Sequence, residues 1–377
     1  MQIEMVDLKG QYNKIKAEID QAVISCMVNT SFINGPAVKE FQYNLQHYLN
    51  IKHVIPCANG TDSLQIAIMA LDLKPGDEVI CPAFTYVATA EVVALLGLRP
   101  VMVDVDPNTF NMAILGIEKA ITTKTKAIVP VHLYGQSCDM EQIMKLAEKY
   151  NLYVIEDNAQ AIGADYTFSD GRVAKTGTIG HIGSTSFFPS KNLGCYGDGG
   201  ALMTNDDELA TKMRMIANHG QEKKYYHKVL GCNSRLDTIQ AAILNIKLRY
   251  LDEYSAARNE MANYYDEAFS SIDELEVPAR QKNSSHVFHQ YTLKVKNGKR
   301  NELLNYLVEQ GIPSMIYYPL PLYKQEAFQQ FVSSDFELDI TEQLCDQVLS
   351  LPIHTEMNID HINYICNSVK SFFNTMR

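Results

Sequence analysis

Residues 186–200 read SFFPSKNLGCYGDGG, and this segment decides which α/β fold the chain has. It places Lys191 between two phenylalanines and a loop with four glycines, and residues 201–204 then form a strand-like run. A Walker A loop needs its lysine after the glycines, and a dinucleotide fingerprint needs GxGxxG between a strand and a helix. Neither nucleotide loop fits. Two explanations remain open: the segment is a turn between two strands with a solvated lysine, or the lysine reacts covalently.

The composition is that of an ordinary globular protein. The chain has 377 residues, 46% of them hydrophobic and 20% charged, and a formal net charge of −11. A phosphate backbone attracts basic surfaces, so an acidic chain without long Lys/Arg blocks predicts no nucleic-acid partner. No run approaches the ~18 consecutive apolar residues of a membrane helix, so we expect no membrane partner.

The cysteines and the first residues predict a cytoplasmic protein without a metal. Glu4 and Asp7 fall where a basic and then apolar leader would lie. The eight cysteines include no CxxC pair, which favours reduced, mostly buried thiols over disulfides or zinc. His286 and His289 have HxxH spacing, but no cysteine or carboxylate cluster joins them, so we expect no metal site there.

Strand and helix patterns alternate between about residues 50 and 205. Helical patterns such as residues 139–150 separate the short β-branched runs at 78–81, 101–105, 126–131 and 152–155. Such alternation predicts βαβ units and a mostly parallel sheet covered by helices on both faces.

The two ends of the chain have different patterns. The segment before residue 35 reads as a helix followed by the extended stretch SFINGPAV. After about residue 240, helical stretches over 237–269 lead to a strand-like run at 287–295 and a helix at 301–310. We therefore expect an N-terminal helix and arm (residues 1–34), a large α/β domain (35–245) and a smaller α+β domain (246–377).

Four residues able to carry chemistry follow four predicted strands. Tyr86, His132, Asp157 and Lys191 each come shortly after a strand-like run. Ligands of open α/β sheets bind beyond the carboxyl ends of the strands, so these side chains are expected at one edge. Each alone has an ordinary explanation; Asp157, for example, can simply cap the next helix.

A phosphate site is predicted at residues 58–63, ANGTDS, which precede an amphipathic helix. A helix N-terminus binds phosphate through free N–H groups and the positive end of its dipole, although Thr61 or Asp62 can also merely cap it. A lysine, a carboxylate, an aromatic ring and a phosphate site together are what pyridoxal phosphate requires. The lysine forms the Schiff base, and the carboxylate keeps the pyridine nitrogen protonated.

Seven segments in order resemble the DegT/StrS-type sugar aminotransferases. They are CANGTDSLQIAIMAL, PAFTYVATAE, VIEDNAQAIGA, SFFPSKNLGCYGDGG, GCNSRLDTIQAAIL, YYPLPLYKQ and LSLPIHTEM. The resemblance covers essentially the whole chain. It implies the aspartate-aminotransferase-like fold type I of pyridoxal phosphate enzymes, with a mostly parallel seven-stranded sheet flanked by helices. The most similar branch acts on 3-keto nucleotide sugars, including UDP-2-acetamido-3-amino-uronates for O-antigen of lipopolysaccharide.

The resemblance also implies roles for individual residues. Lys191 would bind the cofactor covalently, Asp157 would pair with the pyridine nitrogen, and Tyr86 would stack on the ring. Gln160 would contact the side of the ring that carries the phenolate oxygen. The phosphate would be bound by Gly60, Thr61, Ser186 and, from a neighbouring subunit, Asn233, which implies a homodimer with composite active sites. Residues at positions near the sugar substrate are Arg235, Tyr317, Tyr318 and His354.

The implied reaction moves an amino group from glutamate to the C3 ketone of a nucleotide-linked hexose. It proceeds by a ping-pong mechanism with pyridoxamine phosphate as the halfway form, and Lys191 moves the proton. Relatives often read HYP where this chain has Tyr317-Tyr318-Pro319, which leaves the contact at Tyr317 open.

Four alternatives stay open: a 4-keto sugar substrate, a sugar dehydratase, a lyase and a regulatory protein. Dehydratases of this fold carry histidine in place of the lysine, so Lys191 argues against that alternative.

Overall fold

The computed structural model describes residues 3–375 and shows an α/β architecture. The helices are α1 (Leu8–Val28), α2 (Pro36–Leu49), α3 (Gly60–Ala70), α4 (Ala88–Leu95), α5 (Ile114–Ala120), α6 (Met140–Tyr150), α7 (Asp207–Ala217), α8 (Thr238–Leu248), α9 (Leu251–Phe269), α10 (Arg300–Glu309), α11 (Asp339–Gln347) and α12 (Ile359–Thr375), with 3₁₀ turns at Leu133–Gly135, Leu322–Lys324 and Glu326–Phe331. Within residues 3–375, no helix is both long and apolar enough to cross a membrane.

Half of the strands in residues 3–375 belong to one large sheet. In chain order the strands are β1 (His53–Cys57), β2 (Glu78–Pro82), β3 (Arg99–Val103), β4 (Thr125–Ile128), β5 (Tyr153–Asp157), β6 (Asp165–Thr167), β7 (Val173–Lys175), β8 (Ile182–Ser186), β9 (Gly200–Thr204), β10 (Gln221–Lys223), β11 (Tyr226–His227), β12 (Leu275–Glu276), β13 (Tyr291–Val295) and β14 (Val348–Leu351). The large sheet has seven strands in the order β1-β9-β8-β5-β4-β2-β3. Only β9 runs antiparallel to its neighbours, which confirms the predicted mostly parallel sheet.

Both faces of this sheet are buried. Alternate residues of its strands point to opposite faces, and each set of side chains packs against helices. Ile80 of β2 and Ile128 of β4 pack with Ile143 of α6 on one face. Their neighbours Val79 and Ala127 pack on the other face with residues of α3, α4 and α7. The carboxyl ends of the parallel strands are therefore the open edge of the sheet.

A second core forms around a three-stranded antiparallel sheet, in the order β12-β13-β14. Leu293 of β13 and Leu349 of β14 pack with Tyr265 of α9, Leu303 of α10 and Ile365 of α12. This separate core supports a small α+β unit near the C-terminus. The division at residues 34 and 245 stays a prediction.

Two predicted extended segments are shorter in the structure. Only the first part of SFINGPAV is extended, because α2 begins at Pro36, and proline suits the first position of a helix. Strand β13 begins at Tyr291 instead of at residue 287, because Phe288 has φ +43° and interrupts the extended backbone.

Candidate active site

The carboxyl ends of β2, β4, β5 and β8 open into one cavity of about 480 Å³. The predicted site residues that line it are Gly60, Thr61, Tyr86, Asp157, Gln160, Ser186, Lys191, Tyr317 and Tyr318. The first seven come from the large sheet and its helices, and the two tyrosines come from a loop of the C-terminal part. The strand-end pattern thus predicted where the cavity lies.

Asp157 is the last residue of β5 and is only 5% exposed. Its carboxylate accepts a hydrogen bond from Thr89 Oγ1 at 2.8 Å and another from the Ala159 amide at 3.2 Å. Burial raises the pKa of this carboxyl, while the two hydrogen bonds and the positive charge of Lys191 oppose the rise. The carboxylate is therefore held in a fixed orientation by α4 and by its own turn.

Lys191 lies in the loop between β8 and β9, in a turn closed by its own amide and the Phe188 carbonyl at 2.8 Å. The loop folds tightly, since a Cβ at Gly194 would lie 2.4 Å from the Pro189 oxygen. Burial lowers the pKa of the Lys191 amine to about 8, and the Asp157 carboxylate partly counteracts it. The amine thus exchanges protons close to neutral pH.

The N-terminus of α3 and the end of β8 form the side of the cavity suited to a phosphate. The N-cap of α3 is Asn59, whose side chain accepts from the Asp62 amide at 2.7 Å; the expectation that Thr61 or Asp62 caps the helix is wrong. A Cβ at Gly60 would lie 2.6 Å from the Ser186 Cβ, so only glycine allows this approach. The earlier amides of the first turn, those of Gly60 and Thr61, lack intrahelical partners and can bind an anion.

An aromatic wall closes the opposite side of the cavity. Tyr86 is 57% exposed and packs near Tyr318, with ring centroids 6.4 Å apart. Gln160 donates from Nε2 to Tyr318 Oη at 3.2 Å and accepts at Oε1 from the Tyr134 amide at 2.8 Å. Tyr134 Oη donates in turn to the Tyr317 carbonyl. These bonds join the tyrosine loop to the large sheet across the cavity.

Three predicted substrate or cofactor residues do not line the cavity of their own chain. Asn233 is exposed, and Arg235 is half-buried nearby. His354 is buried, and its Nδ1 accepts from the Glu356 amide at 3.2 Å. The roles of these three residues stay predictions.

His132, expected at the same sheet edge, is fully buried away from the cavity. Its Nε2 donates to Glu156 at 2.9 Å, because Nδ1 accepts from the Cys138 amide at 3.0 Å. Glu156 also accepts from the Gly177 amide at 2.8 Å. This pair is therefore part of the interior that fixes the end of β5.

Among the residues that sequence reasoning missed are Thr89, which bonds a cavity residue, and His289, which lines the cavity. Thr89 bonds Asp157, and the only sequence signal was a polar side chain in the otherwise apolar start of α4. His289 lines the cavity together with Lys191, although its HxxH spacing had been considered only for a metal. Both depend on tertiary contacts that spacing along the chain does not encode.

The cavity fits pyridoxal phosphate. It offers a desolvated amine at Lys191, a buried carboxylate at Asp157, and a helix N-terminus beside Ser186 for the phosphate. Thr85 Oγ1, in the lining, is buried without a hydrogen-bond partner among residues 3–375. These are the polar groups that the cofactor needs, and all of them lie around one cavity.

Replacing Lys191 by methionine should stabilise the cofactor-free protein near neutral pH. The folded-state pKa of about 8 lies below the ordinary value of 10.5, so folding weakens proton binding by this lysine. The resulting cost is fully present below about pH 8, declines as the pH rises towards 10.5, and disappears above it. This difference corresponds to about 3 kcal/mol at pH 7.

Urea unfolding of the wild-type and K191M proteins at pH 7 and pH 9.5 measures this effect. The gain of K191M should fall to less than half at the higher pH. Lys74 is exposed, so the control K74M should show no such pH dependence. A K191M protein no more stable than wild type at pH 7 contradicts the desolvation of Lys191.

The comparisons with known proteins agree with this site. A pleiotropic regulatory protein of Geobacillus stearothermophilus is 45% identical over 99% of both chains. A UDP-2-acetamido-2-deoxy-3-oxo-D-glucuronate aminotransferase of Pseudomonas aeruginosa is 46% identical over 97% of this chain and 98% of that protein. The crystal structure of ntda from Bacillus subtilis with bound cofactor PMP has a TM-score of 0.89 at 32% identity, over 96% of this chain and 82% of that one.

The match to a known family extends over nearly the whole chain. The family model described as DegT/DnrJ/EryC1/StrS aminotransferase family matches residues 13–370. That range includes every residue assigned to the cavity and most of both cores. The chain therefore belongs to the DegT/DnrJ/EryC1/StrS aminotransferase family.

Proposed function

We propose that this protein is a pyridoxal phosphate-dependent aminotransferase that moves an amino group from glutamate to a keto carbon of a nucleotide-linked hexose. The observation that carries the proposal is the placement of Lys191 and Asp157 on one cavity, with a desolvated amine and a buried carboxylate. When bound, pyridoxal phosphate supplies the electron sink that stabilises a carbanion beside nitrogen. The related structure with bound PMP supports this choice of cofactor.

Asp157 supplies a negative charge, and Lys191 transfers a proton. Asp157, fixed by Thr89, holds a negative charge at the position suited to a protonated ring nitrogen. Lys191 Nζ would move a proton between the sugar carbon and the cofactor carbon that lie on either side of the transferred nitrogen. A general base works best when its pKa lies near the working pH, and burial brings the pKa of Lys191 to about 8.

The phosphate side and the aromatic wall hold the ligands in place. The first-turn amides of α3, with Thr61 and Ser186, bind the phosphate without a buried cation. Tyr86 offers its ring face for stacking, and Gln160 keeps an amide directed at the cavity through its bonds to Tyr134 and Tyr318. This positioning brings the reacting atoms within range of Lys191.

The favoured substrate is a 3-keto nucleotide sugar. The relative from Pseudomonas aeruginosa, named for a UDP-linked 3-oxo sugar, supports this class. Arg235, Tyr317, Tyr318 and His354 remain our predicted sugar or nucleotide contacts. A 4-keto sugar is the alternative, and a role in O-antigen or lipopolysaccharide synthesis stays a prediction.

A regulatory role is the second candidate function, because a relative of similar identity is named a pleiotropic regulatory protein. The retained amine and carboxylate favour catalysis in this chain. A protein that only binds a partner gains nothing from a partly buried lysine whose pKa is lowered at a cost in stability.

We also propose that the enzyme works in the cytoplasm. All eight cysteines are free, and seven of them are buried. Free thiols persist in reducing compartments, which supports this location.

The proposed assembly is a homodimer with composite active sites. Exposed apolar side chains cluster on α1 and the segment after it, namely Ile24, Met27, Val28, Phe32 and Ile33, with exposed fractions from 47% to 76%. A second copy of the chain would bury this patch. Asn233 is exposed and outside its own cavity, so a neighbouring copy can use it as the resemblance implies.

The first test supplies the pyridoxamine phosphate form of the full-length protein with 3-keto and 4-keto UDP- and dTDP-sugars. Return of the visible absorption of pyridoxal phosphate reports amino transfer. We expect turnover with a 3-keto sugar, and a rate at least about a hundredfold lower in K191A, because general acid–base catalysis contributes that much.

Wild-type protein that transfers nitrogen to none of these sugars contradicts the proposed function and favours the regulatory alternative. Turnover with 4-keto sugars alone overturns the preference for C3. K191A at the wild-type rate contradicts the assignment of Lys191.

Mixing two impaired variants tests the composite site. K191A and N233A chains are unfolded together, refolded as a mixture and assayed with the best substrate. A hybrid dimer has one site with both Lys191 and Asn233 intact, so random pairing should restore about a quarter of wild-type activity. The control mixes K191A with D157N, whose defects lie on the same side of the interface and should not complement. No recovery in the first mixture, with dimers present, contradicts the shared site.

A further inference from the structure

His289 is a buried cavity residue that the proposed function leaves unused. It lines the same cavity as Lys191 and is only 5% exposed. Its Nδ1 is buried and has no hydrogen-bond partner among residues 3–375. Buried polar atoms are nearly always bonded, so an unbonded one points to a hydrogen bond that forms during function, when a nearby side chain or a ligand changes position.

The backbone around His289 is fixed relative to the lysine loop. Asn192, which follows Lys191, donates from Nδ2 to the Val287 carbonyl at 2.8 Å. Arg258 donates from Nη1 to the carbonyls of Phe288 at 3.1 Å and His289 at 3.5 Å. The side chains of Lys191 and His289 therefore reach one cavity from segments that buried hydrogen bonds connect.

The charges around His289 keep its imidazole neutral. Burial lowers its pKa well below the ordinary value, and the cations Lys191 and Arg258 lower it further. Asp157 is the carboxylate that acts on Lys191 from β5. A neutral imidazole carries one unprotonated nitrogen, which accepts a hydrogen bond from an ammonium group.

The HxxH spacing does not make a metal site with His286. The ring of His286 stacks on Phe288, with centroids 3.8 Å apart, and its Nδ1 accepts from the Phe288 amide at 3.0 Å. In the described part of the chain, no group of three or more His, Cys, Asp and Glu residues is arranged to hold a metal ion. His289 therefore shares a cavity with Lys191 and does not form a metal site with His286.

We propose that His289 is a positioning residue for Lys191, accepting a hydrogen bond from Nζ while this amine is free and holding it beside the reacting carbon. This inference rests on the proposed function, in which Lys191 is free between its two proton transfers. A hydrogen bond accepted from the charged amine favours the protonated form. Loss of the acceptor should therefore lower the pKa of Lys191 in the variant relative to the wild-type protein in the same cofactor form.

The experiment measures Lys191 directly in the full-length pyridoxamine phosphate form, which leaves this lysine free. Trace acetylation with acetic anhydride across a pH series, followed by peptide mass spectrometry, gives the midpoint for Lys191. H289L and H289A remove the acceptor, whereas H289Q keeps an amide oxygen that can accept. Two variants without an acceptor ensure that the failure of one to fold does not end the test.

We expect the midpoint to fall by about one pH unit in H289L and H289A, and to stay near the wild-type value in H289Q, since a hydrogen bond to a charged group is worth about that much. The single-turnover rate constant should fall about tenfold in the first two variants, with KM unchanged. A structural role alone would move stability and not the midpoint.

An unchanged midpoint in H289L or H289A overturns the inference, as does an equal change in H289Q. Failure of the proposed function looks different. In that case wild-type protein mixed with pyridoxal phosphate and treated with borohydride carries no added mass on Lys191.

Discussion

The structure depends on one constraint: the Lys191 amine and the Asp157 carboxylate must line the same cavity while being shielded from water. Desolvation lowers the pKa of Lys191 and raises that of Asp157, and each charge partly offsets the shift of the other. Both shifts cost folding free energy, so the surrounding fold has to supply it. The lowered pKa of Lys191 favours the neutral amine that can act as a base, whereas the hydrogen bonds from Thr89 and Ala159 help Asp157 to keep its charge against the effect of burial.

The fold meets this constraint by bringing the carboxyl ends of strands, and the loops that follow them, to one edge of the sheet. Asp157 is the last residue of β5, which lies between β8 and β4 in the large sheet. The preceding residue, Glu156, points to the opposite face of the sheet and is hydrogen-bonded to His132. Lys191 is carried by a loop so tight that Gly194 has no room for a Cβ. Rigid strands and a packed loop fix both side chains more closely than a flexible loop would.

The sequence predicted the parallel sheet and most of the cavity, because strand-helix alternation and strand-end residues are local signals. Strand β1 escaped notice, since its sequence HVIPC contains Pro56; the structure places it at the sheet edge, where proline is tolerated. The cap at Asn59 was missed although it is a local signal: asparagine is a preferred N-cap, and it bonds an amide three residues away. The contacts of Thr89 and His289 depend on which side chains meet after folding, and no spacing along the chain records that.

The proposed chemistry depends on Asp157 keeping a negative charge next to the cofactor ring. The most direct test binds pyridoxal phosphate labelled with ¹⁵N in its pyridine ring to the full-length protein and records the nitrogen chemical shift. We expect a protonated nitrogen from about pH 6 to pH 9 in the wild type, and an unprotonated one in Asp157→Asn, because the ring nitrogen then lacks the paired carboxylate charge. An unprotonated nitrogen in the wild-type protein at pH 7 would contradict it.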